Sequence, residues 1–147
     1  MVETATGVPL ITEIDERKSV VAFDGRPIED DKLRALVEAA RWAPSSGNGQ
    51  PWRITLVRDG ASRGGLNEAL APGNRPWARH APLIVVFATN APDPKRPDSV
   101  AKMMLDVGFA GQNMMLEATH QGLRTHPIGG WNEDMVKAAL DIPDENR

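Results

Sequence analysis

The sequence predicts one globular domain that combines α-helices with β-strands. The chain has 147 residues, the size of one ordinary domain, so we expect residues 1–147 to form a single domain. Its 41% hydrophobic and 25% charged residues are close to globular averages, which favours neither a disordered nor a fibrous chain. Stretches with a helical repeat alternate with short apolar runs typical of strands.

Composition and charge exclude several classes of function. A formal net charge of -3, without a run of Lys or Arg, argues against a nucleic-acid partner. The absence of cysteine excludes disulfides, thiolate zinc sites and thiol nucleophiles, and it fits a reducing compartment. The N-terminus lacks a secretory signal pattern, and the longest apolar run, residues 81–91, is too short to cross a bilayer. We therefore expect a cytoplasmic protein with no membrane partner.

The first half of the chain predicts two helices. A short one covers residues 13–20, with Thr12, followed by Asp15, as its N-cap. The second covers residues 29–43, and its predicted core face has the i, i+3, i+4, i+7 spacing, formed by Leu33, Leu36, Val37 and Ala40. Pro44 ends it.

Two strands follow. Residues 53–59 have β-branched content, and Leu83–Thr89 is an unbroken apolar run, which predicts a central strand covered on both faces. Between them lie a weak helix, starting at Ser62, and a loop with three prolines at residues 71–82.

A long helix is predicted from a cap at Ser99 through His120, ended by Gly122. It is apolar on two rows, one formed by Met103, Val107, Ala110 and Met114 and the other by Met104, Gly108, Gly111 and Met115. The two glycines cost about 1 kcal/mol each relative to alanine, which a closely packed partner helix would explain.

The last predicted helix is capped by Asn132, with Trp131 and Val136 as a hydrophobic staple.

Known catalytic motifs are missing. His80, His120 and His126 lack the spacing of a metal site, so no metal is expected. There is no G-x-S-x-G motif for a serine hydrolase and no glycine-rich motif for a Rossmann site or a P-loop. Any nucleotide-like ligand must be held by other residues.

Two stretches carry polar chemistry beyond what a connector needs. In "RWAPSSGNGQPWR", Arg41–Arg53, the Ser and amide side chains can both donate to and accept from the edge of a heteroaromatic ring. Ordinary turn chemistry explains the Pro, Ser and Gly equally well, but not the group Asn48, Gln50, Pro51 and Trp52. In "ERKSV", Arg17, Lys18 and Ser19 suit a phosphate, although a solvated charged face is the alternative.

Four stretches in order resemble the FMN-dependent nitroreductase family: "RKSVVAF", "EAARWAPSSGNGQPWRITLV", "GNRPWARHAPLIVVFA" and "DVGFAGQNMMLEATHQGLRTHPIGGW". The resemblance covers about residues 14–143. It implies an α+β fold, with a mixed, mainly antiparallel sheet flanked by helices, and an intimate homodimer with two FMN sites at the subunit interface. The apolar rows on the long helix agree with such an interface.

The resemblance also implies the cofactor-binding residues. The phosphate and ribityl region would contact Arg17, Lys18 and Ser19. Asn74 would bind the pyrimidine edge of the ring, and Gly129 or Gly130 would place a backbone N–H near flavin N5. The remaining residues expected around the flavin, in part from the partner subunit, are Pro44, Ser45, Ser46, Asn48, Gln50, Pro127 and Ile128.

In this family NADH or NADPH reduces FMN, which then reduces a nitroaromatic, quinone or similar acceptor in a ping-pong cycle. That cycle needs no dedicated acid–base side chain, so no catalytic residue is expected. A flavin-binding or storage protein without turnover is the alternative, as is an enzyme of this fold with another reaction, such as dehalogenation or dehydrogenation.

The sequence departs from the family pattern at two places. Val21 stands where many members have a cation, which alters the expected stabilisation of the reduced flavin's negative charge. After "IPDENR" the family pattern continues with another strand and a basic tail, so the sequence is C-terminally short relative to it.

Overall fold

Helices make up most of the regular structure in this computed structural model, which describes residues 2–3, 7–96 and 98–147. The helices are α1 (Thr12–Glu16), α2 (Asp30–Arg41), α3 (Gly60–Ala69), α4 (Arg75–Ala78), α5 (Ser99–His120) and α6 (Glu133–Leu140). The strands are β1 (Val2–Glu3), β2 (Pro9–Leu10), β3 (Trp52–Val57) and β4 (Ile84–Thr89), and a 3-10 turn covers Ser46–Asn48. This is the α+β class that the sequence predicts.

The core lies between α2, α5 and the β3–β4 pair. Leu33, Leu36 and Ala40, three of the four residues in the predicted α2 stripe, are buried. They pack with the buried α5 residues Ala110 and Met114, while Val37 is partly buried against the same cluster. Burial of such side chains contributes roughly 1.5–3 kcal/mol each for the larger ones, so this interface fixes α5 in the fold.

The β3–β4 pair is antiparallel and in full register from Trp52↔Thr89 to Val57↔Ile84. The prediction of a central strand fully covered on both faces is wrong for the single chain. Within the described residues β4 has β3 as its only strand partner, and its residues 84–87 are only partly buried. Within the single chain, part of this apolar strand stays in contact with water, and no further described strand pairs with its second edge.

Helix boundaries differ from the predicted caps. Ile11 occupies the N-cap of α1 without a side-chain bond, and Arg17 is extended (φ −63°, ψ 116°), so the helix ends four residues early. The N-cap of α5 is Asp98, which also makes no capping bond, and Ser99 is the first helical residue instead. A side chain caps a helix only when the backbone places it beside a free N–H. The predicted caps, Thr12 and Ser99, each lie one position inside their helix and therefore do not cap it.

The segment between the strands contains more helix than predicted. Helix α3 begins at Gly60, two residues before Ser62, and the three-proline segment holds α4, where Pro76 lies near the first turn. Proline is favoured there because the first helical N–H groups lack intrahelical partners.

Helix α6 packs closely against α3. An added Cβ on Gly65 would lie 2.9 Å from Ala139 Cβ, so only glycine fits this contact. The predicted cap of α6 is confirmed, because Met135 N–H donates to Asn132 Oδ1 at 3.0 Å.

One face of α5 is uncovered in the single chain. Met104, Leu105 and Phe109 are 48%, 58% and 41% exposed, and an added Cβ on Gly108 or Gly111 would meet no atom within 4 Å. We call these five residues the α5 outer face. Among the described residues no helix is long and apolar enough to span a bilayer.

Candidate cofactor site

The segment after α1 lies beside the segment after α5. Ser19 forms a parallel bridge with Thr125, and Val20 N–H donates to Thr125 O at 3.3 Å. His126 Nδ1 lies 2.9 Å from Val20 O, and because a carbonyl only accepts, this ring nitrogen carries the proton. The backbone of Arg17 and Lys18, directly before Ser19, is thereby held near the start of the Pro127–Gly130 segment.

Asn74 contacts the other end of the Pro127–Gly130 segment. Gly130 O accepts from Ala71 N–H at 2.9 Å and from Asn74 Nδ2 at 3.5 Å. An added Cβ on Gly130 would lie 3.0 Å from Ala71 Cβ, so packing within the chain already explains this glycine. At Gly129 an added Cβ would meet nothing within 4 Å, which leaves open space in front of its backbone.

Aromatic rings connect the same segments. The Trp77 and His126 ring centroids are 4.3 Å apart, and Phe23 lies 6.3 Å from Trp77. The structure therefore brings together eight of the predicted site residues, which we call the first cluster: Arg17, Lys18, Ser19, Asn74, Pro127, Ile128, Gly129 and Gly130.

The other five predicted residues lie in the Pro44–Gln50 loop, which has an unusual backbone. Gly47, Asn48 and Gln50 have φ values of 59°, 56° and 42°. Left-handed backbone at a non-glycine residue costs of order 1–3 kcal/mol and is concentrated at functional sites. Asn adopts it more easily than Gln, so Gln50 is the more strained of the two.

Hydrogen bonds hold this loop in shape. Ser45 Oγ accepts from Gln50 N–H at 3.0 Å, and Gln50 Nε2 donates to Arg41 O at 3.4 Å. At the loop's other side, Ser46 N–H donates to both carboxylate oxygens of Asp106, each at 3.2 Å. Ser46 and Asn48 remain exposed, while Ser45 and Gln50 are half-buried.

A polar network fixes the residues that lead into the loop. Arg41 donates to both Glu38 oxygens at 2.6 and 2.8 Å, and Trp42 Nε1 donates to Glu38 at 2.9 Å. These bonds, those from Arg41 foremost, lower the pKa of Glu38 to about 2. Glu38 therefore stays ionised across the physiological range.

The loop and the first cluster remain separate within one chain. No hydrogen bond between them occurs in the part of the chain that the structure describes, where the loop is instead bonded to α2 and α5. A site shared between two copies would bring the loop of one copy to the first cluster of the other. That arrangement stays a prediction.

Sequence reasoning missed Asp106, the residue that the loop contacts on α5. It is only 5% exposed, although charged residues are rarely buried. The sequence does contain a signal for it: Asp106 is the one acid within the apolar stretch "MMLDVGFAG", where a charged side chain is unexpected.

Comparison with known proteins identifies the family and the fold. The chain matches the profile of the Nitroreductase family over residues 14–75 and 67–147. The chain belongs to the nitroreductase family. Its fold is similar to that of a solved structure described as "the oxidoreductase containing FMN". The TM-score is 0.83 and the identity 28%, over 95% of this chain and 73% of that one.

Two relatives of this nitroreductase family member show how far the similarity extends. A protein of Streptomyces coelicolor, provisionally named an NADH dehydrogenase/NAD(P)H nitroreductase, is 34% identical over 57% of this chain, which spans only 40% of that relative's length. The 5,6-dimethylbenzimidazole synthase of Rhodospirillum rubrum is 33% identical over 88% of this chain and 72% of its own.

The residues present fit a flavin mononucleotide. Neither Arg17 nor Lys18 forms an ion pair with another described residue, so both cations are free to meet a phosphate. The open space at Gly129 lets a flat ring approach the backbone, and Asn74 supplies an amide nearby.

Proposed function

We propose that this chain is an FMN-dependent oxidoreductase that uses NADH or NADPH to reduce a nitroaromatic, quinone or similar acceptor. The observation that carries the proposal is the first cluster, which joins two unpaired cations, an amide and an open glycine backbone across three distant segments of the chain. Family membership supports the cofactor and the reaction class.

Each part of the first cluster has a role in holding FMN. Arg17 and Lys18 would neutralise the phosphate, and Ser19 would donate a hydroxyl to it. Asn74 would bond the pyrimidine edge, and the Pro127–Gly130 segment would lie along the ring. The bound flavin supplies the chemistry of accepting a hydride and passing electrons on, while the protein positions it.

The Pro44–Gln50 loop would complete the site from the partner subunit of a homodimer. Ser45, Ser46, Asn48 and Gln50 present groups that both donate and accept hydrogen bonds, which matches the edge of a heteroaromatic ring. The α5 outer face is where the second copy would pack, because it exposes large apolar side chains beside glycines that nothing covers.

Val21 makes this site less positive than the family pattern. Its side chain is 56% exposed and cannot stabilise negative charge on a reduced flavin. We expect the flavin reduction potential to be lower than in a Val21→Lys variant, measured by anaerobic titration against a reference dye.

The cofactor is tested by an absorbance scan of the purified protein, with the mass of any released compound. A flavin spectrum that bleaches anaerobically on addition of NADH or NADPH is the expected result. A flavin that stays oxidised with both donors would contradict the proposed reaction, and a protein that binds no added FMN would contradict the cofactor.

The role of the loop is tested by Asn48→Gly combined with Gln50→Gly. Glycine removes the side-chain amides but adopts the positive φ at both positions, so the effect reports side-chain chemistry and not backbone strain. We expect FMN affinity to fall at least about tenfold, or 1.4 kcal/mol, with little change in melting temperature. Asn146→Gly, at a half-buried position near the C-terminus and outside the loop, is the control, and full FMN retention in the loop variant would show that the loop has another role.

A second candidate follows from the Rhodospirillum relative. Its similarity covers 88% of this chain, so a reaction related to 5,6-dimethylbenzimidazole synthesis is the alternative for the same site. Mass spectrometry of the reacted flavoprotein distinguishes the two: the benzimidazole supports this candidate, and nicotinamide oxidation driven by a quinone supports the reductase.

A further inference from the structure

Asp106 is a buried charged residue of α5 that is hydrogen-bonded to the Pro44–Gln50 loop. The residue is only 5% exposed, and within the described residues the Ser46 N–H is its only hydrogen-bond donor, at 3.2 Å to each oxygen. A buried carboxylate with so few partners is unfavourable for the fold alone. Its burial beside the loop therefore indicates a role beyond packing.

The contact lies at the start of the strained part of the loop. Ser46 is the first residue of the 3-10 turn, and its N–H points to α5 immediately before the left-handed residues Gly47 and Asn48. Two i→i+3 bonds, from Asn48 N–H to Ser45 O and from Gly49 N–H to Ser46 O, continue the turn. An acceptor at Asp106 therefore sets the direction in which the turn begins.

We propose that Asp106 is a positioning residue that fixes the Pro44–Gln50 loop in the conformation that meets the flavin. It does so by accepting the Ser46 N–H on a rigid helix, so that the loop side chains are ordered before the cofactor arrives. This inference rests on the proposed FMN function of the same loop.

The test compares Asp106→Leu with Asp106→Asn in the full-length protein. Leucine has the same number and branching of side-chain heavy atoms and removes every acceptor, whereas asparagine keeps one oxygen that can accept from Ser46 N–H. We expect the dissociation constant for FMN to rise at least about tenfold in Asp106→Leu and to stay within about threefold of the original in Asp106→Asn. The visible circular dichroism of the bound flavin should change in the leucine variant.

Melting of the FMN-free protein separates positioning from simple structural support. Replacing a buried, poorly paired carboxylate by a well-packed apolar side chain is often neutral or stabilising. We therefore expect Asp106→Leu to melt at or above the temperature of the unmodified FMN-free protein while binding FMN less tightly. Equal losses of stability and affinity in both variants would mean that Asp106 has a structural role only.

Glu117→Gln is the matched control, because Glu117 lies on the same helix three turns away and bonds Gln121 instead of the loop. Its FMN affinity should be unchanged. If the unmodified protein binds FMN and Asp106→Leu binds it equally well, the positioning role is wrong while the proposed function stands. If the unmodified protein itself binds no FMN, the proposed function fails first.

Discussion

At the scale of single residues, one ion pair links α1 and α5, the two helices that precede segments of the first cluster. His120 Nδ1 on the last turn of α5 lies 2.8 Å from Glu13 Oε1 in α1. The hydrogen bond to Glu13 raises the pKa of His120 above 6.5, and the same bond lowers the pKa of Glu13 below 4.5. Helix α1 precedes Arg17 directly, so this pair bears on how firmly the cations are held.

The pair predicts a pH dependence of local stability near α1. The contribution of His120 is full below pH 6.5 and is lost as the pH rises through its raised pKa, and that of Glu13 is lost as the pH falls through its lowered pKa. We expect amide-exchange protection of residues 12–20, corrected for intrinsic rates, to be greater at pH 6 than at pH 8.

His120→Asn should remove this difference, and His80→Asn should leave it intact because His80 contacts Arg79 and no acid. The same pH effect in both variants would show that other groups hold α1.

Only part of the site could be read from single residues. Asn48 and Gln50 stand out because a turn does not need amides, but the chain order gives no hint that Ser19 lies beside Thr125 or Asn74 beside Gly130. Those contacts depend on tertiary packing, and the family resemblance supplied the residues that sequence spacing alone could not group.

At the scale of elements, the α3–α6 contact requires glycine at position 65 but not at the neighbouring position 64. Gly65 faces Ala139, whereas an added Cβ on Gly64 would meet nothing within 4 Å. The two glycines share one helix and nearly the same propensity cost, so they form a matched pair.

Gly65→Ala should destabilise the fold by about 1–3 kcal/mol because a rigid Cβ would overlap Ala139 and force the helices apart. Gly64→Ala should instead stabilise it by about 0.4–1 kcal/mol through its better helix propensity. Urea unfolding measures both free energies. An equal change in the two variants would mean that the helices can separate without loss.

The long helices α2 and α5 were predictable from the sequence, whereas of the three predicted N-caps only Asn132 of α6 was right. The α2 stripe and the apolar length of α5 set their positions because burial follows the 3.6-residue period. Thr12 and Ser99 have the right chemistry for caps but lie inside their helices, and only the local backbone decides between neighbouring candidates.

At the scale of the whole molecule, the α5 outer face and the half-buried strand β4 leave apolar surface that one chain does not cover. Neighbouring exposed side chains such as Met104, Leu105 and Phe109 form a patch of the kind that marks an interaction site. A homodimer would cover this face and bring two loops to two first clusters.

Leu105→Glu combined with Phe109→Glu should therefore convert the protein to monomers. Each buried apolar side chain contributes about 1.5–3 kcal/mol, so their joint loss should raise the dimer dissociation constant by more than about 100-fold. Light scattering should report twice the 16.0 kDa chain mass before the change and the single mass after it. Met135→Glu, at 42% exposure on α6, is the control, and a monomeric unmodified protein would contradict the dimer.

The bridge between Ser19 and Thr125 also bears on the order of folding. His126 and Val20 are 106 residues apart in sequence, so their contact forms only after most of the chain has been synthesised and has closed a long loop. That contact holds the chain directly after Arg17 and Lys18 beside Thr125, two residues before the Pro127–Gly130 segment. A partly folded chain would present the cations without this segment, and phosphate capture would then follow closure of the domain instead of guiding it.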